Sequence, residues 1–136
     1  RNYISITEHF DEASLPPFSK YEKVFDLIAQ HEEELATLLV DFLNQRDGIT
    51  IIGENSPDRS IRVPTISFTV ANRKSSEIPL LVDRYKVGIR WGDFYARRLI
   101  NDLNLSDNDG VIRISAVHYN TLAEIEYTIE VLDSIL

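Results

Sequence analysis

The sequence contains no cysteine. Disulfides, thiolate metal sites and cysteine nucleophiles are therefore excluded for these residues, and the absence fits a cytoplasmic protein. Long apolar runs are missing as well. None approaches the ~20 residues needed to span a bilayer, so no membrane partner is expected. Arg1 to Asp11 is polar and charged and does not resemble a signal peptide. There is no Gly-x-Gly-x-x-Gly and no phosphate loop, which argues against a doubly wound nucleotide-binding fold. There is no Gly-x-Ser-x-Gly elbow for a serine nucleophile. His9, His31 and His118 fall at positions with no metal-ligand spacing among them. Lys20 and Lys23 sit at a charged helix start, Lys74 in a loop and Lys86 at a helix end. None lies in the apolar setting that would prepare an amine for Schiff-base chemistry.

Positive charge is scarce overall. The formal net charge is −8, so nucleic acid is not an expected partner. The deficit is uneven. Residues 1–50 carry four basic and ten acidic groups, and residues 99–136 carry one and seven. Residues 59–98 carry nine and three, and only there would an anionic ligand be welcome.

What is present fits one domain, because 136 residues, 43% hydrophobic and 26% charged, suffice for one ordinary core. Residues 1–17, with Pro16-Pro17, read as an irregular arm, and residues 18–136 as a single small domain. Ser19-Lys20-Tyr21-Glu22 has the form of a capping box. It opens a helical stripe through Tyr21, Val24, Phe25 and Ile28, then Leu35 to Leu43, interrupted by the polar turn His31–Glu34. Such a helix of about 25 residues is long for a domain of this size, so one end is expected to lean on something outside the chain. Ile49–Gly53 and Pro64–Val70 read as strands, the second alternating Ile66, Phe68 and Val70 with Thr65, Ser67 and Thr69. Ser75 or Ser76 caps a helix to about Tyr85. Val87–Trp91 is a third strand broken by Gly92. Asp93 is placed to cap a helix over Phe94–Leu103. Val111–Val117 is a fourth strand. Thr121-Leu-Ala-Glu124 is a second capping box, opening a last helix with Leu122, Ile125, Ile129, Leu132 and Leu136 on one stripe. The expected fold class is α+β: a two-layer α/β sandwich, with a small, mostly antiparallel sheet of about four strands covered by helices.

The candidate site residues are arginines and their neighbours. Arg113 falls in mid-strand between isoleucines, where a charge is costly unless paired or at a rim. Its planar fork suits two-point capture of a carboxylate, and the plainer alternative is an edge-strand charge that discourages pairing. Arg90 stands next to Trp91 and Gly92. Two further functions fit the residues alone: a stand-alone domain binding a small carboxylate in the basic zone, or an interaction module.

Three stretches carry a resemblance. They are Arg62-Val-Pro-Thr-Ile-Ser-Phe-Thr-Val70, Val87-Gly-Ile-Arg-Trp-Gly-Asp-Phe-Tyr-Ala96, and Val111-Ile-Arg-Ile-Ser115 followed by Tyr119-Asn-Thr-x-x-Glu124. In this order and spacing the chain resembles the C-terminal small domain of class V aminotransferase-like pyridoxal-phosphate enzymes of fold type I, in their cysteine desulfurase-like group. The helix leading into Gly48-Ile-Thr-Ile-Ile-Gly53 resembles the family's entry into that domain. The resemblance implies that Arg113 binds a substrate carboxylate, with Arg90 beside it and Gly92, Asp93, Phe94 and Tyr95 at the site mouth. It implies pyridoxal phosphate in the full-length enzyme and none bound by this chain alone. The cofactor lysine would belong to a missing large domain of the same polypeptide, and the full-length enzyme would be a homodimer acting on a small amino-acid-like substrate. The isolated chain is then expected to be an inactive piece of a transferase-like or lyase-like enzyme. Tyr95 stands at or near the place of the family's catalytic cysteine, which argues against desulfurase chemistry.

Overall fold

A computed structural model describes residues 17–136 of the protein. The elements are α1 (Pro17–Asn44), β1 (Ile49–Ile52), β2 (Thr65–Val70), α2 (Glu77–Asp83), β3 (Arg90–Gly92), α3 (Arg97–Asp102), a 3-10 turn (Ser106–Asn108), β4 (Val111–Ser115) and α4 (Leu122–Asp133). This is the order of helices and strands expected from the sequence.

Alternation along β2 decides which side of the sheet is buried. Ile66 and Phe68 are fully covered, while Thr65 is exposed and Ser67 and Thr69 are half-covered. The same rule gives Ile112 and Ile114 of β4 to the buried side and Arg113 and Ser115 to the other. The four strands pair antiparallel throughout, in the spatial order β1-β2-β4-β3. Against the apolar face pack Leu35, Leu39 and Leu43 of α1, Ile78 and Val82 of α2, and Ile125 and Leu132 of α4. Each such side chain contributes about 1.5–3 kcal/mol on burial. Helices α1, α2 and α4 thus cover one face, and on the other Thr65 and Ser115 are exposed and Ser67 and Arg113 half-buried. The result is a two-layer α+β sandwich.

Several boundaries differ from the sequence reading. The arm expected over residues 1–17 lies outside the described residues except for Pro17, which belongs to α1. Ser19 is therefore inside the helix and is not its cap. Proline's fixed φ suits a first helical turn, where its missing N–H costs nothing. The turn His31–Glu34 does not interrupt α1. It reaches sideways instead: the His31 Nε2–H donates to the Asn120 carbonyl (2.8 Å), and the Glu32 carboxylate accepts the His118 N–H (3.0 Å). Ser76 stands at the N-cap of α2, as expected, but neither serine side chain makes a capping hydrogen bond. Their hydroxyls donate to the Gly110 carbonyl and the Asp109 carboxylate, tying α2 to the turn before β4. The Thr121 capping box is present, with both of its hydrogen bonds. In α4, Leu122 is exposed and Thr128 and Val131 are buried, so the covered stripe is rotated from the one expected.

Candidate functional site

The open face gathers its charge in one row. In the strand register Ser67 of β2 lies opposite Arg113 of β4, and Arg113 lies opposite Arg90 of β3. Directly opposed cross-strand residues have β-carbons about 4.5–5.5 Å apart, and like charges there repel. Among the described residues Arg90, Arg97, Arg98 and Arg113 take part in no ion pair. The Arg90 guanidinium donates to the carbonyl of Ile89 (2.8 Å). Arg113 is half-buried and sits in an interior strand. That placement removes the edge-strand explanation for Arg113, since β4 is flanked by β2 and β3.

The loop after β3 closes over this row. The sequence pattern suggests that Asp93 caps a helix beginning at Phe94, but α3 begins at Arg97. The Asp93 carboxylate instead accepts the Tyr95 N–H (3.0 Å), and the Asp93 carbonyl accepts the Ala96 N–H (2.8 Å). Phe94 and Tyr95 take positive φ values of 50° and 65°. This short turn sets the Phe94 ring over Arg113, with the guanidinium carbon 3.8 Å from the ring centroid. Tyr95 is wholly exposed (105%). Gly92, φ 128°, belongs to the end of β3 and does not break it. On the far side of the loop, Gly92, Asp93, Arg97, Asp109 and Gly110 line a cleft of about 410 Å³.

The structure thus brings Arg113, Arg90 and Phe94 together and leaves Tyr95 apart from them. Sequence reasoning missed Ser67, which only the register places opposite Arg113, and the stacking of Phe94. It also missed Gly110. A β-carbon there would lie 2.3 Å from the Gly92 carbonyl oxygen, so the two loops can approach only because Gly110 has none. The Asn-Asp-Gly run at residues 108–110 was the available signal. Chemically, two arginines opposed in the register, with no ion pair among the described residues, favour an anion, and the planar fork of Arg113 fits a carboxylate.

Comparison with known proteins agrees with this fold. The family model for aminotransferase class-V matches residues 20–128. An aminotransferase-like protein of Gibberella zeae is 44% identical over 117 residues, covering 85% of this chain and 29% of that protein. A cysteine desulfurase-like protein of Aspergillus flavus is 32% identical over 115 residues, covering 82% of this chain and 26% of that one. In the apo structure of a cysteine desulfurase from Thermococcus onnurineus the same fold recurs, with a TM-score of 0.73 over 88% of this chain and 28% of that one, at 18% identity. The chain therefore spans under a third of the length of these relatives. A family match across most of the chain, on a sandwich shared with such an enzyme, makes this polypeptide a member of the class-V aminotransferase family.

Proposed function

We propose that the chain is the C-terminal small domain of a pyridoxal-phosphate-dependent, class-V aminotransferase-like enzyme, and that Arg113 receives the carboxylate of an amino-acid-like substrate. One observation carries the reading: Arg113 is half-buried in an interior strand, on the uncovered face, beside Ser67 and Arg90, with no acid paired to it among the described residues. A half-buried cation with no paired acid costs free energy that an incoming anion would offset. Arg90 adds positive potential, and Gly92, Asp93, Phe94 and Tyr95 form the rim.

The family implies pyridoxal phosphate for full-length enzymes. The described residues do not fit that group by themselves: Lys23, Lys74 and Lys86 are exposed, Lys20 lies partly exposed on the first turns of α1, and none is the buried amine an aldehyde cofactor requires. When bound elsewhere in the full-length enzyme, the cofactor supplies an electron sink for the substrate's α-carbon. This chain's part is to bind and orient the carboxylate. Persulfide chemistry is not proposed, because Tyr95 offers a phenol where a thiolate is needed.

The remaining partner is a large domain of the same polypeptide. Phe18 (71% exposed), Tyr21 and Phe25 (65%) continue the core-facing stripe of α1 beyond the end of the sheet. They are the surface such a domain would cover, and a homodimer of the full-length enzyme is part of the same reading.

The test is Arg113→Ala in the full-length enzyme, assayed with amino acids. We expect kcat/KM to fall about 10- to 100-fold, mostly through KM, as for loss of a charged hydrogen-bonded pair. Unchanged KM would remove Arg113 from the substrate. If Arg113→Ala abolishes amino-acid binding to the 136-residue chain alone, the stand-alone binding domain is the better reading.

A further inference from the structure

We propose that Phe94 is the positioning residue for Arg113, holding its guanidinium in the orientation that receives a carboxylate. This rests on the reading of Arg113 as the carboxylate group and adds what fixes that group in place. An arginine on an open sheet face has many rotamers, and each must be given up when an anion is bound. Here the guanidinium carbon lies 3.8 Å from the centroid of the Phe94 ring. The ring covers one face of the cation. The five N–H groups lie in the guanidinium plane, so stacking leaves the fork free for a carboxylate.

The apolar core does not hold the ring. Phe94 belongs neither to the buried core cluster nor to the hydrophobic residues packed against it. Its backbone is also costly. Phe94 (φ 50°) and Tyr95 (φ 65°) are successive non-glycine residues in the left-handed region, which only a strong local constraint sustains. Two constraints are present. The Asp93 side chain and carbonyl accept the Tyr95 and Ala96 N–H groups, and Gly110 admits the Gly92 carbonyl where any β-carbon would collide. Together they aim a half-buried aromatic ring, outside the core cluster, at one cation.

The experiment uses the 15N-labelled chain and the Nε–Hε signals of its arginines, with acetate as the probe. Arg113 is assigned by its absence in Arg113→Lys. The Arg113 Hε signal should be shifted upfield by the ring current, keep that shift in Phe94→Tyr, and lose it in both Phe94→Leu and Phe94→Met. Acetate should move the same signal, with a dissociation constant raised about two- to fivefold in Phe94→Leu and Phe94→Met and restored in Phe94→Tyr. Two aliphatic variants guard against one that folds poorly, and backbone amides of β2 and β4 report whether each sheet is intact. If the aliphatic variants bind acetate like the wild type while Arg113→Lys does not, Phe94 has no positioning role and Arg113 keeps its own. If Arg113→Lys responds to acetate as the wild type does, read at the Ser67 amide, both readings fail.

Discussion

At Gly110 the backbone has a φ of 78°, and a β-carbon would meet the Gly92 carbonyl oxygen at 2.3 Å. The neighbour is main chain and cannot swing aside. Gly110→Ala should therefore destabilise the protein by about 2–4 kcal/mol, combining left-handed strain with displacement of the loop. Urea denaturation measures this, and a loss below about 0.5 kcal/mol would show that the loops separate freely. Glu124 makes a different prediction. Its carboxyl is held below the usual glutamate range, chiefly by the Thr121 backbone N–H, then by the Asn120 side chain. A depressed carboxylate stabilises the fold above its unfolded pKa, and that contribution is lost as pH falls through the folded one. Thermal melts from about pH 7 down to about pH 3 should decline less steeply below about pH 4.5 in Glu124→Gln than in the wild type. Asp58, likewise depressed by Ser60, keeps some acid sensitivity in both.

Helix α1 carries its polar turn as a contact surface. His31 and Glu32 hold the segment between β4 and α4, and Glu33 accepts the Arg59 N–H from the loop between β1 and β2 (3.1 Å). His31→Ala should cost about 1 kcal/mol by removing the donor to the half-buried Asn120 carbonyl. Glu34→Ala, on the exposed side of the same turn, should leave the urea midpoint almost unchanged. Equal effects would mean that the turn matters only for helix propensity. From the sequence, the polar turn reads as a gap in a stripe, because the residues it touches are 26 to 89 positions away. The same distance explains what else was legible. The β2 alternation and the Thr121 capping box depend on neighbours within a few residues, and both stand as read. The serines before α2 and Asp93 carry correct capping chemistry, but distant or unexpected partners take their hydrogen bonds. Arg113 could be singled out by its cost in mid-strand. The row Ser67, Arg113, Arg90 could not, since it exists only through a strand order that differs from the chain order.

For the molecule as a whole, that strand order separates support from site. β2 and β4, with α1, α2, α4 and Ile89 just before β3, share the buried cluster, and Ile49 and Ile51 of β1 pack against it. The segment between β2 and β4 makes an excursion through α2, β3 and α3 and returns, leaving β3 as an edge strand of three residues paired only with β4. The excursion holds Arg90, which faces Arg113 in the register, and also Arg97 and Arg98, in a chain of net charge −8. A short ladder on one side of a strand is a small cooperative unit, and such units open without the rest of the fold. Native-state hydrogen exchange should show the β3–β4 amides exchanging at least about tenfold faster than those of the β2–β4 ladder at low denaturant. Equal protection would mean that the sheet opens only as one body. Faster exchange there would make the three-residue edge a hinge in the thermodynamic sense: the strand bearing Arg90 would leave and rejoin the sheet while the β2–β4 ladder that aligns Arg113 stays folded.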